Sequence, residues 1–389
     1  MDRLNRDERF IVGTVFYIYF LLGTYALAIG TMIPLMREDY GLSYEASGFL
    51  MSANSTGSLI MGLIASYTAI LFGLKKAYAG QHAFIIIGLI ILTVTGNFGF
   101  LMAGMILIGL ARGSAGNYSM QIVNDLTRSN TGTMTLLTVF YAAGACLVPF
   151  FVLFCKDILG SWKYACFGIA IASVIGILLT ARMKIESGGN KSIETKHGDL
   201  SFFRKKKYRI PLILLFLYLG VEISVMGWIV TYCMEAYNTS HQFASAMATV
   251  LWVSILTGRI ICSVFANRMK KSALILFLST GLVIFMIMFV TGKATALLIV
   301  ATVGIGLFMS GYYSTVIADA GRFFSEYKLA FGYFVMLSGL GSVIMPSIVG
   351  IVAERSDIRT GMRTLIVLTA VLIITAWWNV LTDKKTEKA

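Results

Sequence analysis

The chain of 389 residues is 57% hydrophobic and 13% charged, with only four prolines, and its mean hydropathy is +0.80. So few polar side chains cannot coat a water-facing surface, which excludes a soluble globular protein and makes this an integral membrane protein. The formal net charge of +13, from 32 Lys and Arg against 19 Asp and Glu, has to be explained by its distribution along the chain.

A helix needs about twenty predominantly apolar residues to cross roughly 30 Å of hydrocarbon, and such runs recur here from end to end with short polar breaks. They predict an all-α protein with twelve spans, near 10–36, 45–73, 77–96, 98–125, 132–155, 163–183, 210–234, 242–267, 272–291, 294–321, 329–352 and 363–382. The first run follows Arg3, Arg6 and Arg9 and contains Ala26-Leu27-Ala28, an imitation of a signal-peptide cleavage site. It continues through Met36 and matches span seven in register, so it is read as a retained span.

Span four carries Arg112 and a polar stripe, Ser114, Asn117, Gln121 and Asn124, whose spacings of three, four and three put all four on one helix face. Amides offer paired donors and acceptors to hydroxyls, and aromatic rings stack on the apolar faces of sugars. Tyr25, Trp228, Trp252, Tyr312 and Tyr313 could supply the rings. The alternative use of the stripe is to join helices, as Asn, Gln and Ser do in membranes. Most rings in so aromatic a chain are packing or interfacial belt. Arg112 is either a receptor for a carboxylate or phosphate, or a structural group bonded to backbone or to a gate.

Residues 184–208 form the longest connection, with "SGGNKS" followed by "FFRKKKYR", and divide the spans six and six. They read as a flexible linker ending in an amphipathic interfacial stretch, between bundles at 1–183 and 209–389. With the N-terminus in the cytoplasm, 23 of the 32 Lys and Arg fall on the cytoplasmic side and seven on the other, with Arg112 and Arg259 inside spans. The positive-inside rule then places both termini in the cytoplasm. The excess charge is thus a topology signal against anionic lipid, which leaves no case for a nucleic-acid partner.

Span seven contains Glu222 about halfway along, in "LYLGVEISVMGW". A carboxylate there costs about 2.5 to 3.5 kcal/mol on insertion scales, so the expected uses are a proton site, a substrate ligand or a buried ion pair, with a merely tolerated structural carboxyl as the alternative.

The two halves repeat. Gly23 and Gly30 fall on Gly220 and Gly227, Gly109 and Gly116 on Gly304 and Gly311, and "GACLVP" from Gly144 on "GSVIMP" from Gly341. Two bundles of one design, with substrate between them, are the architecture of secondary transporters that rock between inward-open and outward-open states.

On these residues the chain resembles the major facilitator superfamily. Arg112-Gly-Ser-Ala-Gly116 matches its span-four R-x-x-x-G pattern, and "SVFANRMKK" after span eight is similar to its G-x-L-A-D-R-x-G-R-K loop, with Arg268 kept and Asn267 in place of the aspartate. The first-half copy, "SYTAILFGLKK", has Ile70 and Leu71 where Asp and Arg are expected. "GTMIPLMREDYGLSYEASGFLMS", "LYLGVEISVMGW" and the Gly-rich spans ten and eleven resemble the fucose- and glucose-proton symporter branch. That branch keeps membrane carboxylates in spans one and four, where this chain has Thr24, Tyr25 and Asn117, so proton coupling would fall to Glu222. The resemblance also implies gating ion pairs at the cytoplasmic ends of spans four and ten, Asp125 beside Lys75 and Lys76, and Asp319 with Arg268; the alternative is solvated interfacial charges worth little.

No phosphate loop or ATP-sized soluble domain supports a primary pump. His82, His197 and His241 are scattered, and the five cysteines lie mostly in apolar runs, so neither a metal site nor a disulfide framework is expected. The expectation is a non-enzymatic, cofactor-free proton-coupled importer of a monosaccharide or similar solute, working as a monomer in a bacterial cytoplasmic membrane. Organic-anion transport through Arg112 and drug or metabolite efflux are the alternatives.

Overall fold

The computed structural model describes residues 5–127, 131–184, 205–265, 269–326 and 328–387. Its helices are α1 Arg6–Tyr40, α2 Tyr44–Phe72, α3 Leu74–Val94, α4 Phe98–Thr127, α5 Thr131–Leu159, α6 Lys163–Arg182, α7 Lys206–Ala236, α8 His241–Phe265, α9 Lys271–Thr291, α10 Thr295–Met309, α11 Tyr312–Glu326, α12 Lys328–Arg355 and α13 Ile358–Glu387. Among the described residues, twelve stretches are long and apolar enough to cross a membrane, as the hydrophobic runs predict. The thirteenth helix arises because span ten, Thr295–Ala320, is interrupted at Ser310 and Gly311. Most of the expected linker lies outside the described residues, and its basic end from Lys206 is already helical in α7.

Local signals explain where the first helix starts and stops. Asn5 and Glu8 form a reciprocal capping box at 2.8 Å in each direction, and Gly41 ends α1 in the left-handed region with φ 63°. Residues such as Leu147, Ile171, Ile284 and Ile374 remain more than half exposed. Apolar faces of that extent require hydrocarbon around them.

The chain forms two compact units, Met1–Leu42 with Phe49–Ile193, and Ser43–Gly48 with Glu194–Ala389. In the first, α1 lies along α5, and α3 packs on α4 and α6. In the second, α7 lies along α12 and α13, α8 along α10, and α9 along α13. The second unit includes the first turn of α2, where the Tyr44 N–H donates to Glu354 Oε2 at 2.7 Å and the Tyr44 hydroxyl donates to Glu235.

The repeated glycines mark the same crossing in both units. A Cβ on Gly144 would overlap the Phe20 carbonyl oxygen of α1, and one on Gly23 would overlap the Tyr141 carbonyl of α5. In the second unit a Cβ on Gly341 of α12 would overlap the Phe216 carbonyl of α7. Backbone-to-backbone approach of this kind is how membrane helices gain packing energy without a hydrophobic drive between them. Gly341→Ala and Gly144→Ala are therefore expected to lower the thermal stability of the detergent-purified protein, each by about 1–3 kcal/mol. Gly13→Ala, where a Cβ meets nothing within 4 Å, should leave the melting temperature unchanged or slightly raised.

Candidate functional site

In the first unit the polar groups gather around Tyr25, a buried residue of α1. Tyr78, Tyr141, Arg112 and Tyr19 lie within its electrostatic reach, so Arg112 and Tyr25, both expected at the site, are brought together. The Arg112 Nε donates to Ser58 Oγ at 3.4 Å. Tyr19 and Tyr141 pack with ring centroids 5.9 Å apart, and Tyr78 and Ser119 share a hydrogen bond at 2.8 Å. A narrow crevice beside Tyr25, bounded by Ile29, Met32, Met36, Leu92 and Met105, has hydrocarbon and thioether walls and offers nothing to a hydroxyl.

The span-four stripe is less uniform than its spacing suggests. Ser114 is buried with its hydroxyl returned to the Leu110 and Ala111 carbonyls at 2.9 and 3.0 Å. Asn117 is exposed and its amide nitrogen donates to the Gly113 carbonyl at 2.8 Å, and Gln121 is exposed one turn on. The side chains of Asn124 and Asp125 lie outside the described residues.

In the second unit Glu222 stands half-buried on α7. One turn earlier, Tyr218 hydrogen-bonds to it, and Arg259 of α8 lies within electrostatic reach of the same phenol. The Tyr218 ring stacks on Tyr312 with centroids 4.7 Å apart and planes 10° apart, and its hydroxyl donates to the Met309 carbonyl at 2.9 Å. Tyr313 lies within electrostatic reach of Glu222, and the Tyr312 hydroxyl meets Ser279 Oγ at 3.1 Å. Glu222, Tyr312 and Tyr313 are thus neighbours in one cluster.

The two tryptophans expected at the site are both buried in this unit. Trp228 is fully buried, its indole N–H given to the Pro346 carbonyl at 3.2 Å and its ring 6.3 Å from that of Tyr44. Trp252 is buried on α8. Tyr218 and Arg259 are the residues that sequence reasoning passed over. The spacing of Tyr218 to Glu222, one helical turn, was a usable signal. Arg259 was visible as an intramembrane cation, but nothing in a sequence says which helix it meets.

A family model described as Major Facilitator Superfamily matches residues 15–326. The chain belongs to this superfamily of membrane transporters. It is 20% identical over 376 residues to the glucose/mannose transporter GlcP of Bacillus subtilis, covering 94% of this chain and 92% of that protein. It is 19% identical over 375 residues to a putative glucose/galactose transporter of Helicobacter pylori, covering 88% of this chain and 89% of that one. Among solved structures, the nucleoside transporter NupG superposes with a TM-score of 0.76 at 15% identity, covering 98% of this chain and all of that one. A D-xylose-proton symporter superposes with a TM-score of 0.74 at 14% identity, covering 95% and 96%. At these identities the structural likeness carries the fold.

In this superfamily member the expected gate around Asp319 has a partner that sequence reading did not supply. Asp319, half-buried near the end of span ten, accepts from the Asn379 amide of α13 at 3.0 Å, and Asp383 and Lys271 lie within its electrostatic reach. Lys271 also donates to the Ala318 carbonyl at 2.6 Å, while Arg268 lies outside the described residues. Among the described residues no group of three or more His, Cys, Asp and Glu could hold a metal ion. Asn379→Leu should lower stability by about 1–3 kcal/mol by stripping a half-buried carboxylate of its amide donor. Adding Asp319→Leu should recover part of that loss, as read from thermal unfolding in a double-mutant cycle.

Proposed function

We propose that the protein is a secondary active transporter that takes up a monosaccharide or similar polyhydroxylated solute together with protons, by alternating access of two six-helix bundles. The observation that carries the reading is Glu222: a carboxylate midway along an apolar span, hydrogen-bonded to Tyr218 and sharing that phenol with Arg259. A carboxyl inside a membrane span is by default a functional group, and the Tyr218 phenol is able to bond it whether it is protonated or ionised. The relatives' names support the solute class, since two of them are glucose transporters and a structural neighbour is a xylose-proton symporter. The exposed amides of Asn117 and Gln121 in the first unit, and separately the exposed phenol of Tyr313 in the second, are groups able to bond hydroxyls. The excess of Lys and Arg in one set of loops supports an orientation with both termini in the cytoplasm of a bacterial inner membrane.

A second reading is favoured by one observation. Arg112 lies beside Tyr25, and a guanidinium in such a place is a receptor for an organic carboxylate. The two readings separate on one substitution. In a sugar transporter Arg112→Gln should retain sugar binding, whereas in an organic-anion transporter it should abolish carboxylate transport.

The substrate class is read by thermal-shift screening of the purified protein against sugars, sugar acids, nucleosides and carboxylates. A ligand present at 100 times its dissociation constant adds about 2.7 kcal/mol to the folded state. In proteoliposomes, Glu222→Gln should reduce uptake driven by an inward proton gradient to simple equilibration while leaving exchange of solute across the membrane intact. Uphill, pH-driven uptake by Glu222→Gln would remove the proton assignment.

A further inference from the structure

Span ten is interrupted where the second-unit cluster meets it. α10 ends at Met309, Ser310 and Gly311 lie between, and α11 begins at Tyr312. The last carbonyls of a helix have no partner within it, and in a hydrocarbon layer each must find one elsewhere. Ser310 Oγ returns to the Leu307 carbonyl at 2.7 Å, and Thr315 Oγ1 donates to the Gly311 carbonyl at 2.6 Å. The Met309 carbonyl is instead served from another helix, by the Tyr218 hydroxyl at 2.9 Å. The same Tyr218 ring lies flat on Tyr312, so one side chain of α7 holds both edges of the break. On the other side α8 closes in, with Gly258 against Ser310 and Cys262 Sγ against Gly311.

A phenol has one hydrogen to give and lone pairs to receive with. Tyr218 has two acceptors competing for that hydrogen, the Met309 carbonyl and the Glu222 carboxylate. We propose that Tyr218 is a positioning residue that links the protonation of Glu222 to the break in span ten, pinning the break when Glu222 is neutral and releasing it when Glu222 is ionised. The inference rests on the reading of Glu222 as the proton site. A neutral Glu222 gives its own O–H to Tyr218 Oη, so the Tyr218 hydrogen stays on Met309 and the three groups are satisfied in series. An ionised Glu222 has no hydrogen and draws the phenol's own, since a charge-assisted bond is the stronger one. The Met309 carbonyl is then left without its donor in a buried site, and the break is free to rearrange. Among the described residues, Arg259 from α8 and Tyr312 from α11 lie within electrostatic reach of Tyr218, and Tyr313 from α11 lies within reach of Glu222.

Cys262, in contact with Gly311, is a native reporter of the break. Its modification by N-ethylmaleimide, followed by peptide mass spectrometry on the purified full chain across pH, is compared between wild type, Glu222→Gln and Tyr218→Phe. Phe keeps the stacked ring and removes only the hydroxyl, and Gln keeps a hydrogen for Tyr218 Oη. At each pH, Tyr218→Phe should react about fivefold faster than Glu222→Gln, the factor that one ordinary hydrogen bond is worth. Wild type should follow Glu222→Gln at low pH and approach Tyr218→Phe as pH rises. If Glu222→Gln abolishes gradient-driven uptake but wild type and Tyr218→Phe keep a constant ratio of Cys262 reactivity at all pH, the linkage through Tyr218 is wrong and the proton assignment stands. If Glu222→Gln retains gradient-driven uptake, the proton assignment fails and the linkage with it. Should Tyr218→Phe not fold, hydrogen exchange of the amides at residues 310–313, corrected for intrinsic rate, decides between the same outcomes. Protection that is higher in Glu222→Gln than in wild type at high pH supports the linkage, and equal protection overturns it.

Discussion

Where α5 crosses α1 and where α12 crosses α7, backbone rests directly on backbone, because Gly144 and Gly341 leave no side chain between the helices. Lipid tails are as apolar as leucine, so burying hydrocarbon does not bring membrane helices together; close van der Waals contact does. Each unit is assembled around one such crossing. The functional side chains are placed relative to it: Tyr25 is two residues beyond Gly23 in α1, and Glu222 is two residues beyond Gly220 in α7. The glycines and the chemistry therefore belong to the same turns, and the position of Glu222 follows from how tightly α7 is held.

Tyrosine is the adapter that lets these helices carry charge. In the first unit Arg112 sits among phenols around Tyr25, and in the second Glu222 and Arg259 share Tyr218. A phenol is apolar over its ring and polar at its tip, so it packs in a helix bundle and still satisfies a buried ion or an orphaned carbonyl. Two units of one design have thus acquired different chemistry at matching positions, a phenol at Tyr25 and a carboxylate at Glu222. The family membership follows from the shared frame, and the individuality of this transporter lies in that exchange.

Much of this was legible without coordinates. Spans were readable because a twenty-residue apolar run has one meaning in a membrane protein, and the glycine repeat was readable because helix crossings of this kind tolerate little else. Periodicity also set which residues of span four share a face. It left open what each does there: Ser114 and Asn117 both prove to bond carbonyls of their own helix, but Ser114 is buried and Asn117 is exposed. Trp228 looked like a ring for a solute and is instead committed to the Pro346 carbonyl. A side chain's type states what it is able to bond, and only its neighbours decide which bond is made.

Helical class, span number, the internal repeat and the lone carboxylate in span seven were all determined by residue order, since each depends on properties that run along one helix. The grouping of Tyr218, Arg259, Met309 and Tyr312 around Glu222 draws on α7, α8, α10 and α11, and so does the choice of Asn379 as the partner of Asp319 across α13 and α11. These were decided in three dimensions, because sequence spacing fixes the faces of a helix and leaves undetermined which faces meet.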